Sequence, residues 1–386
     1  MSHILAILLV SLVDWLVPDT VRLVFVGDAM QHGPQLRSAA RAGGKYDYSP
    51  CFKFIEPVVE KADYAIVNLE CPLGGEPYSG YPAFSAPDEY ASALKSAGFD
   101  FFTTANNHCM DRGAKGVIRT VDALDKLGVP HVGTYKTESA RDSLAVQVVT
   151  FNRLRVAILS YTYGTNGIPI SGGVSVGLID RKRMAAEIEL ARKLCDMVCV
   201  CMHWGEEYQL LPSKGQRDVA DFLVDQGVDW IIGSHPHVIQ PMERRFSAKW
   251  GKEVLVVYSL GNFISNQNGE DSRGGAMVEV ELIHNYLRPW APQIGNAGYR
   301  LFFCQKPGTG AVPQEPGVGP LKEKSGKGTR SQAKVQNDAY QLIPAAAAGE
   351  YPWQLRPASR EAYRIFVTRA REVFKANNKR VEELSW

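Results

Sequence analysis

The sequence lacks any apolar run long enough to cross a bilayer, any C-x-x-C pair, and any excess of charge of one sign. A membrane-spanning helix needs about 20 consecutive apolar residues, and the run from Ile4 to Val13 stops at Asp14. Lys and Arg number 43 against 41 Asp and Glu, a net charge of +2. That balance gives no support to a nucleic-acid partner or an anionic membrane surface. Without C-x-x-C, a zinc knuckle or a thioredoxin motif has no basis. The seven cysteines are odd in number, which argues against a disulfide framework. Cys199 and Cys201 fall on one face of an apolar run, where a thiol behaves as a small hydrophobe. No P-loop or Rossmann glycine signature occurs, so nucleotide kinase and dehydrogenase readings find no support.

Apolar residues make up 45% of the 386 positions and charged residues 22%, which excludes disordered, collagen-like and coiled-coil chains. Such a chain buries a large core unaided, so any metal is expected to serve chemistry. Ile4–Val13 has the length of a secretory apolar region, about 7–15 residues. Residues 1–19 are therefore expected to direct export to the cell envelope. The alternative is a buried first element of a cytoplasmic protein, since a preceding Lys or Arg and a small-residue cleavage site are missing.

From Val21 the pattern is apolar strand, polar loop, amphipathic helix. Strands are expected at 21–26, 64–67, 99–104, 197–202, 229–232 and 254–258, with helices at 88–96, 116–127, 181–194 and 213–225. This alternation predicts an α/β layered fold. The main domain is expected to span 20–304. Between Pro307 and Gly328, ten of 22 residues are Pro or Gly, so 305–340 reads as a flexible linker. Its Lys322, Lys324, Lys327, Arg330 and Lys334 are either solvated or in contact with an anionic polymer. Residues 341–386 form a C-terminal segment, with a terminal helix expected from Ser359 to about Leu384.

In open α/β sheets ligands gather at the carboxyl ends of strands, and the polar motifs fall there. Asp28, Glu70, Asn107, His203, His235 and His237 are two carboxylates, one amide and three imidazoles on five strand ends. That mixed oxygen and nitrogen set suits Mn, Fe or Zn. Pro236 stiffens the loop so that His235 and His237 can converge. His108 and Asp111 form an orienting pair if the segment turns helically, letting the imidazole protonate a leaving group. The other reading is an ordinary turn with Asp111 starting a helix. Trp204 and Tyr208 either wall a substrate cleft or pack over the sheet end. The 78–90 stretch reads as a lid or a rigid surface loop.

Gly27-Asp28, Asn107-His108, His203 and Gly233-Ser234-His235-Pro236-His237 resemble the ordered motifs of calcineurin-like metallophosphoesterases. More closely, the chain resembles the CapA-type poly-γ-glutamate capsule synthesis family (PGA_cap). Gly27–Met30, Asn68–Glu70, Ala105–His108 with Asp111 and Gly113, His203–Tyr208, Gly233–Gln240 and Tyr258–Phe263 carry that resemblance. It covers about residues 21–282.

The resemblance implies a four-layer α/β/β/α sandwich of metallophosphoesterase type, followed by a linker and a helical extension. It implies one or two divalent ions (Mn, Fe or Zn) and in-line attack on phosphorus by an activated water, with metals about 3.5–4 Å apart. Asp28, Glu70 and His237 would hold the first ion, with Glu70 bridging. Asn107, His203 and His235 would hold the second. His108 would be the acid, steered by Asp111, and Trp204, Glu207, Tyr208 and Asn262 would contact substrate. The implied partner is an anionic polymer or a small phosphorylated or amide substrate, together with other capsule-synthesis envelope proteins. Met30 stands where the superfamily usually carries a His, and Glu70 where it carries an Asp. His32 is a substitute ligand if residues 28, 30 and 32 share a face. The alternative functions are a non-catalytic envelope component that binds an anionic polymer through the metal cleft, and a structural scaffold.

Overall fold

A computed structural model describes residues 19–284, 292–308 and 339–386. The expected export segment, and most of the expected linker with its five basic residues, lie outside the described residues.

Four strands open the chain in the first sheet: β1 (Asp19–Ala29), β2 (Tyr64–Leu69), β3 (Phe101–Thr103) and β4 (His131–Val132). The short pair β5 (Thr134–Tyr135) and β8 (Ser175–Val176) stands apart, flanking β6 (Gln147–Phe151) and β7 (Leu154–Thr162). Then come β9 (Met197–His203), β10 (Trp230–Ser234), β11 (Ile239–Ser247) and β12 (Lys252–Leu260). The last strands are β13 (Asn262–Ile264), β14 (Gly274–His284), β15 (Gln293–Gln305), β16 (Gln341–Pro344) and β17 (Glu382–Glu383).

Among the described residues the first sheet runs β16-β15-β14-β1-β2-β3-β4, with β13 also on β1 and β17 on β15. The second runs β11-β12-β10-β9-β7-β6. β1 to β4 are parallel, as are β7, β9, β10 and β12. The remaining long strands, β14, β15 and β11, add antiparallel. These antiparallel strands, and β7, are elements the sequence pattern did not predict.

Period-two alternation sorts each strand between layers. Leu23 and Phe25 of β1 meet Cys199, Cys201, Trp230, Ile232, Leu255 and Val257 between the sheets. Val24 and Val26 face outward, onto the helix α1 (Gly33–Ala39), the single turn α2 (Glu56–Val59) and α3 (Asp88–Ser96), with Leu124 of α4 (Gly113–Leu127). After α5 (Glu138–Leu144), the helices α6 (Arg181–Leu194) and α7 (Lys214–Gln226) cover Val198, Val200 and Val256 on the opposite side. The result is the α/β/β/α sandwich expected. Cys199 and Cys201 do share the inter-sheet face, their Sγ atoms 4.0 Å apart, and all seven cysteines are free and buried.

Local chemistry sets the helix ends. Asp180 accepts from the Lys182 and Arg183 amides at the start of α6, and Ser213 with Gln216 forms a capping box on α7. The terminal helix α8 (Arg360–Asn377) ends sooner than expected, because the chain turns extended at Asn378. Its Tyr363, Phe366, Val367, Ala370 and Phe374 join the inter-sheet core. The tail beyond it bonds to both sheets: Lys379 to Met242 of β11 at 3.0 Å, and Leu384 to Tyr299 of β15 at 2.7 Å. No described helix is long and apolar enough to cross a membrane.

Candidate metal centre

The carboxyl ends of both sheets' parallel strands meet at one place. Asp28 closes β1, Glu70 follows β2, and Asn107 and His108 follow β3. His203 closes β9, while His235 and His237 follow β10. All seven are buried. Their approach depends on two glycines. A Cβ on Gly27 would lie 2.0 Å from the Gly261 carbonyl oxygen, and one on Gly233 would lie 2.0 Å from that of Tyr258. Register shifts on both sides of β1 near Asp28 mark a bulge, which re-aims a side chain beside a site. His235 and His237 flank Pro236 at φ 96° and 58°. Non-glycine residues held in this region store strain that the surroundings must offset.

The donors form three overlapping groups, with one atom from each residue lying within 4.8 Å of the others. They are Asp28, Glu70 and His237; Glu70, His203 and His235; and Glu207, His235 and His237. Glu70 belongs to the first two, so its carboxylate lies between them. His203 Nε2 is 2.8 Å from Asn107 Oδ1 and 3.5 Å from Glu70 Oε1. Neither Glu70 oxygen nor His235 Nδ1 makes a hydrogen bond. Buried polar atoms left without partners call for a missing ligand, and two carboxylates among imidazoles fit a divalent cation of the Mn, Fe or Zn kind.

The electrostatics agree with that fit. Burial and then the neighbouring Asp28 charge push the Glu70 carboxyl well above its usual range. Burial would also raise Asp28, but the hydrogen bonds with His237 and Asn68 hold it well below the carboxylate range. Burial, then His235, keeps His203 neutral, and burial, then His237, lowers His235 to about 3. Neutral imidazoles present lone pairs to a cation.

A further ring of residues sets the orientation of these donors. His237 Nδ1 donates to Asn262 Oδ1 at 3.1 Å, and the Asn262 amide nitrogen is fixed by Gln267 Oε1 and the Ser272 carbonyl, both at 2.9 Å. That leaves His237 Nε2 facing Glu70, at 3.8 Å. Ser234 Oγ lies 3.0 Å from His203 Nδ1, and Asn68 Nδ2 donates to Asp28 Oδ1 at 2.8 Å. Asn107 Nδ2 donates to Asn166 Oδ1 at 3.2 Å, which turns its oxygen toward His203. Asn68 and Ser234 lie inside motifs already quoted, yet their spacing carries no signal of this role. Tyr163 and Asn166 follow β7, a strand the sequence pattern did not mark.

His108 Nδ1 and Asp111 Oδ2 pair at 2.9 Å across a turn closed by the Asp111 amide on the His108 carbonyl. Asp111 also accepts from the Phe84 amide at 2.8 Å, tying the 78–90 stretch to this pair. Glu207 and Tyr208 are exposed at the mouth. Trp204 is buried, donates to the Tyr258 carbonyl at 2.9 Å, and packs over the sheet end instead of walling a cleft. Asn262, expected against substrate, is buried behind His237.

The expectation for His32 needs correction. Met30 is turned into the outer core beneath α3, because β1 ends at Ala29 and the bulge breaks the alternation. His32 therefore does not share a face with Asp28. It starts α1, its Nδ1 lies 3.3 Å from the Asn266 amide, and it belongs to none of the described donor groups. The run Gly173–Gly177 reads G-x-S-x-G, but Ser175 is buried in β8 and not raised on a strand-to-helix elbow.

Residues 22–267 match the family described as bacterial capsule synthesis protein PGA_cap. The chain is 30% identical over 279 residues to the capsule biosynthesis protein CapA of Bacillus anthracis, covering 69% of this chain and 65% of that protein. It is 30% identical over 276 residues to the PGA biosynthesis protein CapA of Bacillus subtilis, covering 69% of each. A Staphylococcus aureus structure provisionally assigned as a 5′-nucleotidase aligns with a TM-score of 0.48 and 12% identity, over 91% of this chain and 58% of that one. By the extent of the family match and of these two relatives, the chain belongs to the PGA_cap family of bacterial capsule synthesis proteins.

Proposed function

We propose that this chain is a metal-dependent hydrolase that acts in capsule polymer synthesis or export at the cell envelope, with poly-γ-glutamate or a phosphorylated or amide precursor as substrate. The observation that carries this reading is the buried set of two carboxylates and three imidazoles with three unbonded donor atoms, beside a paired His108 and Asp111. Asp28, Glu70 and His237 would hold one cation, and Glu70, His203, His235 and Asn107 a second. When bound, such cations polarise a substrate oxygen and activate water. The chain's own residues do the rest. Asp111 keeps the His108 imidazole in one orientation, and His108 gives a proton to the departing atom. The buried walls keep bulk water from the donors.

A second reading is a non-catalytic component that binds an anionic polymer through the same cleft. The placement of Met30 in the outer core favours it, because the Asp28 group is left with one imidazole. Metal analysis of the purified chain, with a screen of phosphoester and amide substrates, separates the two. One to two equivalents of metal, lost in His235→Ala, together with turnover lost in His108→Ala, is the expected result. Metal binding without turnover on any substrate would move the assignment to the second reading, and no metal after reconstitution would sink the hydrolase and move it there too.

A further inference from the structure

Three tyrosines from three separate loops stand around the metal centre, each against one of its histidines. Tyr81 is 72% exposed with its ring 6.5 Å from His108; Tyr163 is 47% exposed and 4.6 Å from His235; Tyr208 is 53% exposed and 6.1 Å from His237. Among the described residues only Phe246 and Tyr351 are comparably exposed large aromatics. Exposed apolar area gathered in one place marks a binding surface, whereas scattered single residues do not. Two of the rings are also held. Tyr208 sits at φ 63°, its amide bonded to the Pro236 carbonyl at 2.8 Å and its hydroxyl 3.2 Å from Gln267 Nε2. Tyr163 donates to Asn166, the residue that turns Asn107. A side chain fixed in this way loses little entropy on binding.

We infer that Tyr81, Tyr163 and Tyr208 form a rim that selects an extended polymer over a small substrate. The inference rests on the polymer-substrate reading proposed above. A tyrosine presents a flat apolar face with a hydroxyl at its tip. A γ-linked glutamate chain alternates two-methylene spacers with amides and carboxylates, which is the complementary pattern. Spacers lie on the rings while the Tyr81 and Tyr208 hydroxyls donate to carboxylate or carbonyl oxygens. The rim surrounds the centre, so a bound chain is gripped on either side of the bond presented to it. A single residue or dipeptide reaches at most part of the rim.

The test compares a γ-glutamyl oligomer with the γ-glutamyl dipeptide, by calorimetric titration on the metal-loaded full chain. Tyr81→Ala and Tyr208→Ala are each expected to weaken oligomer binding roughly tenfold, as for a buried aromatic anchor, with dipeptide binding and metal content unchanged. Tyr→Phe at the same positions should retain most of the affinity. Oligomer affinity unchanged in metal-replete Ala variants would overturn the inference. So would equal losses for oligomer and dipeptide. A wild-type chain that holds metal but ignores the oligomer removes the rim and leaves the metal centre standing. One that grips the oligomer through these tyrosines without metal keeps the rim and removes the hydrolase.

Discussion

In the first sheet the strands that reach the site end in Asp28, Glu70 and Asn107, all oxygen donors; in the second they end in His203, His235 and His237, all nitrogen donors. The two sets carry different electrostatic burdens. The oxygen side buries two carboxylates together, and Glu70 is driven up for lack of compensation. On the nitrogen side burial favours the uncharged form of His203 and His235, and an uncharged ring costs far less to bury than a charge. Both groups that contain Glu70 also draw on second-sheet histidines. A cation in this site would therefore read out the docking of the two sheets, and the core beneath it is the surface along which they dock.

The most damaging break in this comparison is Glu70→Ala, which removes the oxygen donor common to both groups. Metal content by mass spectrometry should fall to background, and the rise in Tm expected when Mn is added to the unaltered chain should be lost. For the unaltered chain that rise corresponds to about 2.7 kcal/mol at a hundredfold excess over Kd. Retention of half the metal would show that the groups are independent.

Next in size is His108→Ala, which leaves both donor sets whole. Turnover should fall on the order of 10²–10⁴-fold with metal retained; equal loss of metal would place His108 among the ligands. Asn166→Ala reaches across the comparison, since a second-sheet loop there orients a first-sheet amide. Metal affinity should weaken roughly 10–100-fold, as for other residues that orient ligands, and unchanged affinity would show that Asn107 needs no such support.

Met30→His tests whether the oxygen sheet can accept a nitrogen donor at that position. Because Met30 points into the outer core, the substitution should add no metal and cost on the order of 1–3 kcal/mol in denaturant melts, by burying an imidazole without a partner. A gain of metal would contradict that placement. The smallest effect belongs to the far edge of the second sheet. Burial alone would raise Glu243, but hydrogen bonds from Lys379 and Arg245 hold it below its ordinary 4.5. Its contribution is complete above 4.5 and is lost as pH falls through the lower folded value. Glu243→Gln should flatten that acid limb of the stability curve and cost on the order of 1 kcal/mol or less at neutral pH.

Most of the parallel half of the fold was legible because its strands, β4 and β7 apart, are short apolar runs ending in a polar motif, most of them separated by helices with clear periods. β11, β14 and β15 were not. They mix charged and apolar residues, as Gln-Pro-Met-Glu-Arg-Arg in β11 does, and what they pair with lies far along the chain. The C-terminal helix was visible as a helix, but its place between the sheets was not, since periodicity gives a face and no partner for it.

The sequence by itself determined which donor types stand at which strand ends, because side-chain identity and strand polarity are local properties. Only the tertiary structure decided that Glu70 lies between two groups, that Met30 leaves the site through a bulge, that Asn166 turns Asn107, and that three tyrosines meet at one mouth. Each of these is a distance between residues remote in the chain. Such distances are set by how two twisted sheets dock and by which backbone kinks that docking tolerates.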